Sequence, residues 1–396
     1  MTACAIETTA EDDDREGKQG GSGGRPTGFT TTANGAYAAR LAGVGDALYV
    51  ERWTLDGPEP YAVPLPLDQP EEPHTQLLPL ADGRVLVCRR VDGRRNSFSL
   101  LYPTGPDTGE LRLGSVEAPG SEALVLLPPS PDGICAYAMC VGPGSTTLWL
   151  VAGGAFGPEQ VAEVEGRCSG GVWLDRTGRM LALDRRLGDG PVKAVAVDLE
   201  RGGEVTPLLQ ITEESDDRLL LADPDSGLLL IRSDAPSPGH DRLGWGVLGS
   251  LLPVRFPDCL RLDDAAVTPF AVQPGQVLMP EGCAVALRID AAAGSWVGTW
   301  RPSSRRMDQL AVPQGWLAGA GLWTPGGVLR LPYAAPGTPC GLAALEPPPE
   351  PGPAPEPVTV PEEPRVCRPV PLQQAPLADG RPADQGLSGG SGPGRP

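Results

Sequence analysis

A chain of 396 residues with 50 acidic against 32 basic side chains carries a formal charge of −18. That excess argues against DNA, RNA or an anionic membrane surface as principal partner, because binding to phosphates needs a basic face. The 53 Gly and 47 Pro disfavour long helices, and no segment sustains the apolar period of an amphipathic helix or the uninterrupted run of a membrane span.

In chain order, residues 1–26 join an acidic run (Glu11 to Asp14) to GGSGG, without the basic and apolar pattern of a secretory leader. They are expected to form a disordered tail. A rhythm then begins. Turn dipeptides stand at Asn34-Gly35, Asp82-Gly83, Asp132-Gly133, Thr177-Gly178, Ser226-Gly227, Pro274-Gly275 and Gly326-Gly327, at intervals of 45 to 52 residues. Each precedes a short apolar run: AYAARLA, RVLVCRR, ICAYAMC, RMLALDR, LLLIRSD, QVLMPEG and VLRLPYA. These runs have the length and composition of single strands, and Asn-Gly or Asp-Gly suits the positive φ of a tight hairpin.

Repetition near 49 residues with strand content predicts an all-β fold over residues 27–345. It reads as a seven-bladed β-propeller of four-stranded antiparallel blades. Six blades is the alternative, if the first and last units are fragments of one blade. The segments before the turns (LLPLAD, ALVLLPPS, GVWLDR, RLLLAD, TPFAVQ and GAGLWT) are the predicted innermost strands. Trp149, Trp173 and Trp323 lie in apolar runs and are expected to pack in the core.

Residues 346–364 (EPPPEPGPAPEPVTVPEEP) read as an extended Pro-rich linker. Strand character returns in RVCRPVPLQQAPL (365–377), a candidate closing strand for the last blade, or else a tail or partner-binding peptide. Residues 378–396 form a second expected disordered tail.

The nine cysteines are odd in number, scattered and free of CxxC spacing. They read as buried reduced thiols of a cytoplasmic protein, with no metal site. The repeat would allow Cys88, Cys135 and Cys140 to stand near one another in adjacent blades, without a redox or metal role being expected there. Lys18 and Lys193 are the only lysines, and the Arg, Ala, Gly and Pro richness suggests the genome of a high-GC bacterium. Arg89, Arg90, Arg94 and Arg95 read as a solvated hairpin tip, and Glu213, Glu214, Asp216 and Asp217 as a solvated acidic linker.

Catalytic patterns are sparse. The only histidines are His74 and His240, and no GxSxG elbow, phosphate loop or strand-placed dinucleotide motif occurs, so no cofactor is predicted. ADPDSG lacks the later ligands of a calcium loop and reads as a turn. Three residues remain as candidates for a channel or rim binding site, none assigned a catalytic role: Asp175, Asp223 and His240.

PSPDGICAYAM (Pro129 to Met139), with PLADGRVLVCRR and LDRTGRMLALDRR as weaker copies, resembles the turn-strand signature of TolB-type propellers. The same propeller type forms the amino-terminal domain of prolyl oligopeptidase-like enzymes. The resemblance implies a propeller over about residues 28–345. The peptidases' nucleophile belongs to a following α/β-hydrolase domain, for which this sequence shows no counterpart, so no catalytic residue carries over. The expectation is a non-catalytic, monomeric scaffold that binds a protein or peptide through its loops and central channel. The alternative is a propeller-class enzyme (lyase, lactonase or hydrolase-like) with an acidic or His site in the channel.

Overall fold

Seven antiparallel sheets follow one another along the chain, each with its strands in sequence order. They belong to a computed structural model that describes residues 28–118, 122–275 and 279–347. Blades 1 to 4 (29–65, 76–117, 123–165 and 167–209) and blade 6 (265–310) have four strands. Blades 5 (217–247) and 7 (322–345) have three. In blade 5 the fourth position is reduced to one bridge between Trp245 and Arg255. In blade 7 the segment around Trp316 prolongs the short first strand by a bridge to Tyr333. The architecture is a seven-bladed β-propeller, and the six-blade alternative falls because the first and last units each form a sheet of their own.

First strands approach one another from blade to blade: blade 1 to 2, 2 to 3, and 4 through 7 in succession. They are therefore the inner strands, as the sequence predicted. Antiparallel order then fixes two faces. The turns between first and second strands lie on one face, here called the turn face. The hairpins between second and third strands, and the blade-to-blade connections, lie on the opposite connection face.

The repeated glycines form the turn face. Gly35, Gly83, Gly133, Gly178, Gly227 and Gly327 have φ between +69° and +82°, a region that β-carbon sterics deny to most residues. All but Gly227 also approach the neighbouring blade. A β-carbon on Gly133 would meet Ala81 of the preceding blade at 2.5 Å, and Ala81 N–H donates to the Gly133 carbonyl at 2.9 Å. Gly35 in turn lies against Leu322 of blade 7. The sixth unit departs from the pattern. The strand predicted from Gln276 begins on residues 276–278, which lie outside the described residues; the next described strand runs from Val285 to Ala291, after a 3-10 turn at Pro280–Gly282. Gly275 has no positive φ there; its N–H donates to Asp223 at 3.0 Å.

Apolar clusters fill the spaces between blades, each drawing on two adjacent sheets. Trp53, Trp300 and Trp323 are among the largest fully buried side chains, each contributing about 2–3 kcal/mol of apolar burial. Trp173 is buried and Trp149 half-buried against the cluster of blades 2 and 3, in keeping with the packing role read from the sequence. The ring closes by packing: Phe29, Ala38 and Trp53 of blade 1 share a cluster with Ala334 and Leu342 of blade 7 and with Leu317 and Ala320 of the segment leading into it. The proposed closing strand 365–377 lies outside the described residues, as do 1–27 and the rest of 348–396.

Candidate functional site

Asp175 and Asp223 occupy equivalent turns in blades 4 and 5. Asp175 accepts the N–H groups of Gly178 (2.9 Å) and Arg179 (3.1 Å), the local hydrogen bonding that lets Asp organise a turn. Asp223 is buried and accepts from Ser226 N–H (2.9 Å), Ser226 Oγ (2.5 Å) and Gly275 N–H (3.0 Å), tying blade 5 to blade 6. Arg176 forms a bidentate ion pair with Asp225 across the same two turns as Asp175 and Asp223. Both aspartates therefore organise the turn face. His240 stands exposed in the blade 5 hairpin 234–241, on the connection face. The structure does not bring the three together.

The connection face holds two features that sequence reading missed. The first is a groove of about 810 Å³ where the connection from blade 1 to blade 2 crosses blade 2. Pro66, Leu67, Pro70 and Val91 supply apolar lining, and Val91 is 51 % exposed. Part of its charged wall is already paired. Arg89 donates to Glu71 at 2.6 Å and to Glu110 at 3.0 Å, and Glu71 also accepts from Thr75 Oγ1 at 3.2 Å. Burial alone raises the Glu110 carboxyl, but Ser99, Arg89 and Arg112 together hold it below its ordinary value. Arg89 is thus an ion-paired groove residue and not part of a solvated tip.

The second is a polar seam along the inner ends of blades 4 and 5. Asp217, read from sequence as part of a solvated linker, is buried. Lys193 Nζ (2.9 Å), Ser215 Oγ (2.9 Å), Ser233 Oγ (2.7 Å) and Ile211 N–H (2.9 Å) all donate to it. Glu213 and Glu214 do remain exposed. Asp184 is buried too, accepting Leu219 N–H at 3.0 Å, with Arg218 at 3.9 Å. Burial raises its carboxyl to about 6 against the opposing effects of that N–H and Arg218. Arg218 is paired in the sheet with Arg232. Burial pushes Arg232 below the ordinary guanidinium value, with Asp241 opposing and Arg218 adding to the effect.

Among the described residues no group of three or more His, Cys, Asp or Glu is placed to hold a metal ion. Cys88 and Cys140 share one apolar cluster, and burial raises the thiols to about 12 and about 11. All seven described cysteines are free. A Cys–apolar core pattern signals packing in sequence. The Arg89 and Asp217 partnerships link residues many positions apart and leave no local signature.

No protein-family model matches the sequence, and no curated protein matches it. Solved structures similar to this chain include a puromycin hydrolase (TM-score 0.54, 16 % identity, covering 82 % of this chain and 52 % of that one). Prolyl oligopeptidase B from Galerina marginata is similar at a TM-score of 0.50 and 12 % identity, covering 80 % of this chain and 48 % of that one. TolB from Acinetobacter baumannii matches at a TM-score of 0.41 and 10 % identity, covering 79 % and 80 % of the two chains. This chain spans about half the length of the first two. At such identities the likeness is one of fold.

Proposed function

We propose that the chain is a non-catalytic binding propeller that takes a protein or peptide partner on its connection face. The groove between blades 1 and 2 carries this reading. It joins exposed apolar side chains to prearranged charges, a combination suited to recognising a peptide segment. Within its wall Arg89 is ion-paired to both Glu71 and Glu110. The similar peptidases lend only their fold to the proposal. The free thiols favour a reducing compartment, the cytoplasm, and we take the chain to act as a monomer.

The test compares the purified wild-type chain with Val91→Asp, and with Leu251→Asp, which changes a fully exposed apolar residue on the turn face. Each is immobilised and offered host lysate, and bound proteins are identified by mass spectrometry. One protein retained by wild type and Leu251→Asp but lost from Val91→Asp is the expected result. Equal retention by all three, or by none, would overturn the groove reading. The alternative propeller-class enzyme has one observation in its favour, the raised carboxyl of Asp184. Turnover of an ester, lactone or glycoside substrate that Asp184→Asn abolishes would favour it.

A further inference from the structure

We propose that Arg218 and Arg232 form a binding site for a single carboxylate group at the inner end of blade 5, on the connection face. The two arginines stand directly opposite each other on the first and second strands of that blade. Side chains so placed are close neighbours, and like charges in directly opposed positions destabilise a sheet. A neutral residue at either position would relieve that repulsion.

Their surroundings differ. Arg218 lies 3.9 Å from Asp184 and 4.0 Å from Asp216, and reaches Ser169 Oγ at 3.5 Å. Arg232 is half-buried, and its one side-chain hydrogen bond among the described residues is to the Val267 carbonyl of blade 6, at 3.4 Å. No carboxylate among the described residues forms an ion pair with it; Asp241 acts on it at longer range. A guanidinium offers five N–H donors, so most of those on Arg232 stay unused. Arg232 therefore keeps a guanidinium without an ion-pair partner among the described residues, in a chain whose overall charge of −18 repels anions. An anion bound here is held by local geometry rather than by the general field.

The neighbouring carboxylates and the shape of the guanidinium restrict the ligand. A carboxylate is planar, carries one negative charge and matches the guanidinium fork through two oxygens. A phosphate dianion would bring a second charge close to Asp184, Asp216 and Asp241. The hairpin 234–241, with His240 and Asp241, joins its strands at this same end of the blade, so a larger ligand that carried the carboxylate would meet that loop. The inference does not depend on any partner at blades 1 and 2.

The test titrates the full chain with acetate, succinate and inorganic phosphate, each against sodium chloride of equal ionic strength, and with one peptide as free acid and as amide. Calorimetry and thermal melts are the readouts. Carboxylates should raise the wild-type Tm. Arg232→Met should raise the Tm of the unliganded chain and weaken carboxylate binding at least tenfold; Arg232→Gln, which keeps a donor for Val267, serves if the Met variant does not fold. A peptide acid that binds tenfold tighter than its amide assigns the carboxylate to a chain end, whereas binding of succinate with no such preference assigns it to a free acid. The proposal is overturned if carboxylates act no differently from chloride, if binding survives in the Arg232 variants, or if phosphate binds more tightly than the carboxylates.

Discussion

Lys193 places its ammonium 2.9 Å from the carboxylate of Asp217, with the Lys193 side chain 15 % exposed and that of Asp217 fully buried. The same ammonium donates to the carbonyls of Thr212 (2.6 Å) and Ser215 (2.5 Å). One lysine thus joins the third strand of blade 4 to the segment entering blade 5. Breaking a buried pair by removing one partner leaves an uncompensated charge and costs about 3–5 kcal/mol. Lys193→Met should therefore lower the unfolding free energy by roughly that amount. Lys193→Met combined with Asp217→Leu should recover part of the loss, because Ser215, Ser233 and Ile211 N–H still lose their acceptor. Urea unfolding of the two single variants and the double variant measures the coupling; additive losses would show that the pair contributes nothing to the junction.

The period of the ring is readable in sequence because φ is a local property. Asn34-Gly35 and Asp132-Gly133 announce their turns by composition alone, and so does Asp175, whose side chain bonds only within its own turn. Pro274-Gly275 looks like the others, yet the next described strand starts only at Val285. There Gly275 is explained by Asp223 of the preceding blade, a contact that no local pattern encodes. Asp217 and Arg89 fail for the same reason: the partners that bury them stand 24 and 18 residues away. The Arg218–Arg232 apposition depends further on an irregularity between Leu219 and Leu221 that resets the register. Local chemistry is legible at this level; blade-to-blade pairing is not.

Two glycines separate conformational strain from crowding. Gly133 (φ +69°) faces Ala81 of blade 2, whereas Gly45 (φ +60°) has open space where a β-carbon would stand. An alanine at either position occupies the left-handed region, at about 1 kcal/mol. At Gly133 it must also displace a neighbouring backbone in a packed ring, so the total should reach about 2–4 kcal/mol. Chemical denaturation of Gly45→Ala and Gly133→Ala checks the difference. Equal losses would mean that the turns do not pack across blades as described.

The buried thiols make a prediction about labelling. The thiolate is the reactive species, and burial raises Cys88 to about 12 and both Cys140 and Cys168 to about 11. At pH 8 iodoacetamide should leave all three unmodified in the folded chain and label them fully in denaturant. Peptide mapping by mass spectrometry reads each site separately. Fast modification of Cys88 under native conditions would show that the space between blades 2 and 3 opens more readily than its packing implies.

Asp184 should give the fold a pH dependence of unusual sign. Its carboxyl titrates near 6 when folded, against 3.8 for the ordinary group, with burial as the main cause. Between those values the folded chain holds a proton that the unfolded chain has released. Stability from this group is therefore fully present below about pH 4 and is lost as pH rises through about 6. Most carboxylates in ion pairs act in the opposite direction, so the effect must be read as a difference between two chains. Asp184→Asn keeps an oxygen to accept Leu219 N–H and removes the titration. The variant should be more stable than wild type at pH 7 by about 1–3 kcal/mol, and the gap should close as the pH falls toward 4. Unfolding free energies at half-unit intervals across that window give the test. Parallel profiles for the two chains would mean that Asp184 stays ionised throughout, with Arg218 outweighing the burial that surrounds it.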